Sequence, residues 1–320
     1  MTTILKTENL TKVYKLGGLF QRTTINALDD VNLTVNSDKP VIVSLVGESG
    51  SGKTTLAKVI LQLIAPTRGS AIIYDRLVAG KGEKPDRRRF LSAVQPIFQN
   101  PFESFSGHRT VDTYLTETAI SVNGLSQSEA DEVVADALTQ VGLEYADVKG
   151  KYPNQFSGGE LQRVSIARAL IPHPDIIVAD EPVSMIDASL RMNIINLFLS
   201  LKEEYNRSFL YITHDLATAY YISDYLAVMY RGAIVEFGDA RTILGNPQHP
   251  YTQLLLASIP DTVRKWEKQP IALSDIETKE YQMTGCRFCN RCPIAEERCA
   301  VERPTAIQKA DGREVYCHFA

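Results

Sequence analysis

Several features are absent from this 320-residue chain. Cysteine does not occur before residue 286, and no apolar run approaches the roughly 18 residues that a membrane-spanning helix needs. The net charge is -4 and no long block of lysine or arginine occurs, which argues against a nucleic-acid-binding protein. The first eight residues lack a signal-peptide pattern, and no repeat or low-complexity tract is present. We therefore expect a soluble, cytosolic protein without a nucleic-acid partner.

The most informative segment that is present is Gly47–Thr54, which reads GESGSGKT and follows the apolar run 40–46. It fits the phosphate-loop pattern G-x-x-x-x-G-K-[ST], whereas a glycine-rich turn is the alternative. Glycines allow consecutive backbone N–H groups to surround phosphate oxygens, and a helix that begins near Lys53 would direct its positive dipole end to the same place. The segment predicts a nucleoside triphosphate site in a chain long enough for about two domains.

Two side chains of the loop have predicted roles. Lys53 would reach the β- and γ-phosphates, and the Thr54 hydroxyl would ligate Mg²⁺. The residues of this region that we predict to bind the nucleotide are Gly47, Glu48, Ser49, Gly50, Ser51, Gly52, Lys53, Thr54 and Thr55.

A second segment, residues 174–182 (PDIIVADEP), is an apolar run too short for a helix that ends in two carboxylates. It predicts a buried parallel strand, and ligands bind beyond the carboxyl ends of such strands. Asp180 suits the Mg²⁺ shell, and Glu181 suits the orientation or polarisation of an attacking water, because phosphoryl transfer needs mainly positioning and charge stabilisation. A pair of solvated surface acids is the alternative, which the four preceding apolar residues disfavour.

A third segment, Phe156–Arg163 (FSGGELQR), resembles the signature sequence of ATP-binding cassette (ABC) ATPases. A serine at a helix start, with two glycines after it, offers a hydroxyl and bare N–H groups to a phosphate. In that family the phosphate belongs to ATP on a partner subunit, because two nucleotide-binding domains pack head to tail. The resemblance therefore implies a partner-facing site made of Ser157, Gly158, Gly159 and Glu160.

The resemblance also assigns the catalytic residues. Gln99 is similar to the glutamine that touches Mg²⁺ and the attacking water, and His214 is similar to the switch histidine that contacts the γ-phosphate. The family pattern thus implies catalysis by Glu181, His214 and Gln99, with Mg²⁺ held by Thr54, Gln99 and Asp180.

Two further positions match the family less closely. Asp187 stands in the D-loop, which crosses the dimer interface, although Met-Ile replaces the usual Ala-Leu before it. Tyr14 stands where the family has an aromatic residue that stacks on adenine. A strand residue that packs on the core is the alternative for Tyr14.

The resemblance implies an α/β fold: a P-loop NTPase (ABC ATPase) core with an antiparallel β subdomain and a helical subdomain, plus a small Cys-rich C-terminal extension. We expect the nucleotide-binding domain over 1–245, its helical subdomain over about 100–165, and the extension over 246–320. The patterning agrees, since 25–35 partly alternates as a half-buried strand does, and Ser126–Glu129 forms a capping box before a helical pattern.

All five cysteines lie between residues 286 and 317. In a cytosolic protein such crowding suggests metal or iron–sulfur ligation rather than disulfides. Thiolates hold both zinc and [4Fe–4S] clusters. The cysteines are Cys286, Cys289, Cys292, Cys299 and Cys317.

The segment 285–293 (GCRFCNRCP) and the earlier segment 246–252 (NPQHPYT) resemble the C-terminal extension of oligopeptide and dipeptide importer ATPases. Within that subfamily, cysteines at the spacings of Cys286, Cys292, Cys299 and Cys317 are implied to hold a [4Fe–4S] cluster. Cys289 departs from the pattern and creates a ferredoxin-like C-x-x-C-x-x-C-P run, so it is a neighbour or a substitute ligand. Zinc is the second hypothesis, and unligated reduced thiols are the alternative to both.

The resemblance implies an ATP-hydrolysing subunit of an importer at the cytoplasmic face of the cell membrane. The residues 14–20 (YKLGGLF) resemble the F-type more than the D-type ATPase subunit. The implied partners are a second ABC ATPase in a heterodimer, two transmembrane permease subunits and an extracellular solute-binding protein. Peptides are the expected solute, with oligosaccharides or nickel as alternatives. A soluble ABC-type switch that moves a macromolecule is the alternative function, which the single cassette and importer-type tail disfavour.

Overall fold

The computed structural model describes residues 1–16, 23–82, 86–258, 280–281 and 283–320. Residues 17–20, on which the F-type prediction partly rests, lie outside this part of the chain. Within the described residues, no helix has both the length and the apolar character to cross a membrane. The chain forms two compact units. The first comprises Met1, Ser37–Ile42 and Glu83–Ile212, and the second comprises Thr2–Asn36, Val43–Gly82 and Thr213–Ala320.

The strands of the described chain are long at the N-terminus and short at the C-terminus. They are β1 Thr2–Leu16, β2 Thr23–Ser37, β3 Ile42–Val46, β4 Arg68–Ile73, β5 Arg76–Ala79, β6 Val94–Ile97, β7 Ile176–Asp180, β8 Ser208–Thr213, β9 Tyr225–Tyr230, β10 Ala233–Asp239, β11 Ile307–Gln308 and β12 Glu314–Val315.

The α-helices whose bounds lie within the described residues are α1 Lys53–Ile60, α2 Arg87–Ala93, α3 Val111–Thr118, α4 Gln127–Gln140, α5 Tyr145–Val148, α6 Gly158–Leu170, α7 Ala188–Glu203, α8 Leu216–Ile222, α9 Ala240–Gly245, α10 Pro250–Ala257 and α11 Glu297–Val301. Shorter turns of 3₁₀ or π type are Pro101–Ser104, Ala119–Asn123, Pro153–Gln155 and Cys289–Arg291.

The second unit contains a four-stranded sheet in the order β2-β1-β4-β5. β4 is antiparallel to both β1 and β5, with Leu5 opposite Ile73 in the first pair. The predicted strand at 25–35 is confirmed as part of β2, because Val31, Leu33 and Val35 are buried and the residues between them are less so. This alternation is what a strand with one buried face requires.

The second unit also contains strands in the order β11-β12-β10-β9-β3, in which β3 and β9 are parallel and the other pairs are antiparallel. In the first unit β8, β7 and β6 are adjacent and parallel. β7 matches the predicted buried strand, since Ile176, Ile177, Val178 and Ala179 have no exposed surface. Parallel pairing brings the carboxyl ends of β6 and β7 to one edge, so the segments that carry Gln99 and Glu181 start side by side.

The helices α3 to α6 belong to the first unit. The predicted capping box before α4 is confirmed, because the Ser126 backbone N–H donates to Glu129 Oε2 at 2.8 Å. Such reciprocal bonds satisfy the unpaired donors of a first helical turn. Local sequence therefore fixes where α4 begins.

The C-terminal residues join the second unit through a buried ionic centre. Glu236 in β10 has no exposed surface and accepts the backbone N–H groups of Gln248 and His249 at 3.0 and 3.1 Å. Arg313 Nη1 lies 3.3 Å from the same carboxylate and is also buried. A buried carboxylate needs such compensation, so this centre fixes the entry to α10 against the turn before β12.

Candidate functional site

The predicted phosphate loop connects β3 with α1, which begins at Lys53 as predicted. Gly47 and Gly52 have φ values of 150° and 107°, which L side chains rarely adopt. A Cβ at Gly47 would overlap the carbonyl oxygen of Met229, and one at Gly52 would lie 2.5 Å from that of Ala27. The loop shape therefore needs glycine at both positions.

Lys53 lies inside the curve of this loop and is only 6% exposed. Its Nζ donates to the carbonyl oxygens of Gly47 and Glu48 at 2.7 and 2.9 Å and approaches Ser51 Oγ at 3.3 Å. An ammonium held over the loop is placed to meet the charge of bound phosphates. Thr54 follows it in the first turn of α1 with an exposed side chain.

The loop is also contacted by residues that the sequence patterns did not indicate. The backbone N–H of Glu48 donates to Tyr251 Oη at 2.9 Å, and the Glu48 carboxylate pairs with Arg291 at 3.0 Å. The Tyr281 hydroxyl donates to the carbonyl oxygen of Gly50. These partners are more than 200 residues away along the chain, which no local pattern can reveal.

The two predicted acids follow β7. Asp180 is its last residue and is partly buried, and Glu181 has a φ of 47° in the left-handed region. The Glu181 N–H donates to Ile212 O at 2.9 Å, and Ser184 Oγ donates to Glu181 O at 3.0 Å. Non-glycine residues are held in this region at a cost of about 1–3 kcal/mol, and such residues cluster at functional sites.

Gln99 and Glu181 are brought together in the first unit. Gln99 Nε2 donates to Glu181 Oε2 at 3.1 Å, with Gln99 exposed and Glu181 partly exposed. A carboxylate and an amide in contact at a strand edge can together hold and orient a water molecule.

Two other predicted positions lie on the surface of the second unit. His214 is exposed directly after β8, and Asp215 caps α8 by accepting two backbone N–H groups. Tyr14 is 37% exposed in β1, with Lys12 Nζ 5.3 Å from its ring centre. An exposed ring is available for stacking, which the alternative of a core-packing residue would not provide.

The signature segment forms the start of α6. Ser157 is the N-cap, and its Oγ accepts the Glu160 N–H at 3.3 Å while Glu160 Oε2 accepts the Ser157 N–H at 2.8 Å. The Ser157 hydroxyl, which donates to Glu160 Oε2 at 2.7 Å, and the Ser157 N–H both lower the pKa of the Glu160 carboxyl. A Cβ on Gly158 would lie 3.7 Å from the carbonyl oxygen of Met185, so the D-loop region is adjacent. Asp187 is exposed at the start of α7.

All five cysteines are free thiols, and Cys299 and Cys317 are buried. Burial raises the pKa of Cys286 to about 11, and negative charge on Cys292, Cys299 or Cys317 would raise it further. Cysteine thiolates are suitable ligands for a thiophilic metal. In the part of the chain that the structure describes, however, no group of three or more His, Cys, Asp and Glu side chains is arranged to hold a metal ion. The predicted iron–sulfur or zinc site is therefore not confirmed.

Two family models match the chain. The model for the ABC transporter covers residues 28–184, and the model for the oligopeptide/dipeptide transporter C-terminal region covers residues 235–299.

Three relatives match nearly the whole chain. The probable peptide ABC transporter ATP-binding protein y4tS of Sinorhizobium fredii is 36% identical, over 98% of this chain and 89% of its own length. The oligopeptide transport ATP-binding protein AppF of Bacillus subtilis is 35% identical, over 99% of this chain and 97% of its own length. The di/tripeptide transport ATP-binding protein DppF of Pseudomonas aeruginosa is 36% identical over 100% and 98%.

Solved structures agree with these relatives. A dimeric ATP-binding cassette in a post-hydrolysis state, bound to ADP and Pi, has a TM-score of 0.64 and 29% identity. The match covers 74% of this chain and 99% of that chain. The cbiO1 structure from Clostridium perfringens has a TM-score of 0.63 at 21% identity, over 77% of this chain and 92% of that one. These likenesses confirm the predicted fold class.

Proposed function

The chain belongs to the ABC transporter family, among the ATP-binding subunits of the oligopeptide/dipeptide transporter type, and from this membership we propose that it is the ATP-hydrolysing motor of a peptide importer. It is an ATPase. The three relatives carry peptide transport in their names, and the match covers almost the entire length of each. The transported solute that best fits this chain is therefore a peptide.

The observation that carries the hydrolytic role is the pair formed by Gln99 and Glu181 at the carboxyl edge of β6 and β7. Glu181 would orient or polarise the attacking water, and Gln99 would hold that water and a ligand position of Mg²⁺. Holding the acid by its N–H, its carbonyl and its side chain removes orientational freedom before substrate binds. His214 would contact the γ-phosphate.

The phosphate loop would bind ATP through its backbone N–H groups, with Lys53 moving from the loop carbonyls to the β- and γ-phosphates. Thr54 and Asp180 would supply oxygen ligands to Mg²⁺, which prefers such hard donors. The exposed ring of Tyr14 would stack on adenine.

A second ABC ATPase would complete the site. The exposed signature segment, Ser157 to Glu160, would present its N–H groups to ATP on the partner, and Asp187 would cross the interface. The dimeric state of a related cassette that holds ADP and Pi supports this arrangement. The partner would be a different ATPase chain, and the pair would act on two permease subunits supplied by a solute-binding protein. This assembly implies a place at the cytoplasmic face of the membrane.

We retain two finer hypotheses about the chain itself. Its nucleotide-binding domain would span 1–245, with the extension over 246–320. Cys286, Cys292, Cys299 and Cys317 would hold a [4Fe–4S] cluster, with Cys289 as a neighbour and zinc as the second candidate. When bound, such a cluster would supply a covalent cross-link among the short elements of the extension. Iron and acid-labile sulfide analysis after anaerobic purification tests this, and stoichiometric zinc without either would reject it.

The function is tested by purification of the tagged chain from detergent-solubilised native membranes. Mass spectrometry would identify copurifying chains, and ATP hydrolysis would be measured with and without the copurifying binding protein and added peptides. Recovery of permeases, a second ATPase and peptide-stimulated turnover is the expected result. Recovery of the chain alone, without stimulation, would contradict the importer and favour a soluble switch.

A further inference from the structure

Glu48 occupies a position that the phosphate-loop pattern leaves open, yet this residue is held at three points. Its carboxylate forms two hydrogen bonds with Arg291, from Nη1 to Oε2 at 3.0 Å and from Nη2 to Oε1 at 3.1 Å. Its N–H donates to Tyr251 Oη at 2.9 Å. Its carbonyl oxygen accepts from Lys53 Nζ at 2.9 Å and from the Ser51 N–H at 3.1 Å. Glu48 therefore connects Lys53 to the C-terminal part of the chain.

The guanidinium of Arg291 is also held by two aromatic residues that lie outside the phosphate loop. It lies 5.8 Å from the ring centres of both Tyr230 and Phe288, and Nη1 is 3.3 Å from Tyr230 Oη. The Arg291 side chain is 18% exposed and that of Glu48 is 35% exposed. A planar guanidinium that pairs through both nitrogens imposes a direction as well as an attraction, especially when partly removed from water.

The same aromatic cluster fixes Tyr251. The ring centre of Tyr251 is 4.5 Å from that of Tyr230 and 5.4 Å from that of Phe288, and all three side chains are buried. Burial leaves the Tyr251 hydroxyl with little freedom to leave the Glu48 N–H. The cluster thus supports both contacts with residue 48 from one rigid base.

We propose that Arg291 and Tyr251 are positioning residues for ATP binding, because they hold Glu48 so that the phosphate loop and Lys53 are ordered before the nucleotide arrives. The inference rests on the proposed function, in which this loop is the ATP site. A preorganised loop loses less conformational freedom on binding, so removal of the contacts weakens ATP affinity while the hydrolytic pair at Gln99 and Glu181 is unaltered.

The alternative role of Arg291 is simple attachment of the extension, and the chain offers a matched control for it. Arg303 also belongs to the extension and pairs with Asp29 at 2.9 Å, outside the phosphate loop. If attachment alone mattered, Arg303→Gln and Arg291→Gln would have similar effects on thermal stability and on ATP affinity. A positioning role predicts that only Arg291→Gln changes ATP affinity.

The test measures equilibrium binding of a non-hydrolysable ATP analogue with Mg²⁺ to the purified full chain by calorimetry. The variants are Arg291→Gln, Glu48→Gln, their double variant, and Arg303→Gln, each checked for its thermal unfolding midpoint. We expect each of the first two to raise Kd by about tenfold, within the usual range for coupling between sites. The double variant should match either single variant, since both changes break one contact, and Arg303→Gln should stay within twofold.

Two outcomes would overturn the inference. One is a Kd for Arg291→Gln equal to that of the unaltered chain, and the other is a double variant whose effect is the product of the two single effects. Failure of the proposed function is distinguishable, because then the unaltered chain itself would not bind the analogue. A further variant, Tyr251→Phe, keeps the buried ring and removes only the hydroxyl. We expect its Kd to rise less than that of Arg291→Gln, with an unchanged melting temperature.

Discussion

The phosphate loop and the signature segment are both glycine-rich starts of helices, but their glycines serve different purposes. In the loop, Gly47 and Gly52 have positive φ, and a Cβ at either would collide with the chain's own backbone. In the signature segment, a Cβ at Gly158 or Gly159 would meet its nearest neighbour at 3.7 or 3.5 Å, an ordinary contact. The first pair is required by the fold of this chain, and the second pair is not.

The phosphate loop and the signature segment also differ in the residues that contact them. The loop is held by Tyr251, Arg291 and Tyr281 from the C-terminal part of its own unit. The capping box of the signature segment engages only the N–H groups of Ser157 and Glu160, and both residues are exposed. The phosphate loop is thus supported by other residues of its own chain, while the signature segment presents an open surface. This contrast agrees with the proposed arrangement, in which one ATP lies between the phosphate loop of one chain and the signature segment of another.

The largest predicted loss of activity follows from a change at Glu181, which would act on the ATP that the phosphate loop and a partner's signature segment hold. Glu181→Gln should lower the hydrolysis rate by about a thousandfold, because a positioned general base contributes about 10²–10⁴. The amide keeps the volume and the contact with Gln99, so ATP binding and dimer closure should persist. ATP turnover and sedimentation with ATP check both, with the exposed Glu204→Gln as control. Full turnover in Glu181→Gln would remove this residue from the mechanism.

The next effect breaks the loop alone. Gly47→Ala places a Cβ against Met229 O and forces alanine to a φ of 150°. Strain of about 1–3 kcal/mol, together with this overlap, should distort the loop and weaken ATP binding by about a hundredfold. Calorimetry measures the affinity. Gly245→Ala, where a Cβ would meet no atom within 4 Å, is the control. Normal affinity in Gly47→Ala would mean that the loop adapts.

Local sequence predicted several elements of the fold because the information that specifies them is local. The short apolar run before Asp180 becomes β7, α1 begins at Lys53, and the serine-glutamate spacing at Ser126 becomes a capping box. The support of Glu48 escaped prediction because its partners follow 203 and 243 residues later. Contacts of that separation have no period, and an arginine in a cysteine-rich turn carries no sign of its partner.

The left-handed φ of Glu181 escaped prediction for a related reason. Glutamate has no preference for that conformation, so the sequence favours none there. The Glu181 N–H donates to Ile212 O on the neighbouring strand β8, a contact that forms only once β7 and β8 have paired, and Ser184 Oγ donates to the Glu181 carbonyl oxygen. Residues that do chemistry are often held against their local preferences, and sequence reasoning then identifies the residue but not its geometry.

A smaller loss of activity is predicted for a change in the signature segment. Gly159→Ala should leave the ATP affinity of the single chain unchanged and should not lower its unfolding midpoint, since the Cβ fits and alanine favours helix by about 1 kcal/mol over glycine. The added methyl would obstruct only a partner's phosphate. We expect ATP-dependent dimerisation and hydrolysis to fall by about tenfold, a loss of about 1.4 kcal/mol in the closed state. Unchanged dimerisation in the Glu181→Gln background would show that this surface does not face a partner.

A last prediction uses pH to separate the phosphate loop from the signature segment. His249 caps α10 by accepting the Tyr251 N–H at its Nδ1, and burial lowers the pKa of His249 to about 3. The unfolded chain binds this proton near pH 6.5, so the stabilising contribution is complete above that pH and decreases as the pH falls toward 3. At pH 5 the loss is about 2 kcal/mol. Glu160 in the signature segment has a lowered pKa, so its contribution is lost only below pH 4.5.

Acidification from pH 7 to pH 5 should therefore destabilise the start of α10, where Tyr251 contacts Glu48. The capping box of the signature segment should stay intact over this range. His249→Asn provides the matched variant, because asparagine also caps helices but does not titrate. The unfolding midpoint and ATP affinity, measured at both pH values and constant ionic strength, should fall less in His249→Asn than in the unaltered chain. An identical pH dependence in both would mean that His249 does not couple acid to the loop, and the contrast between the two sites would then rest on their glycines alone.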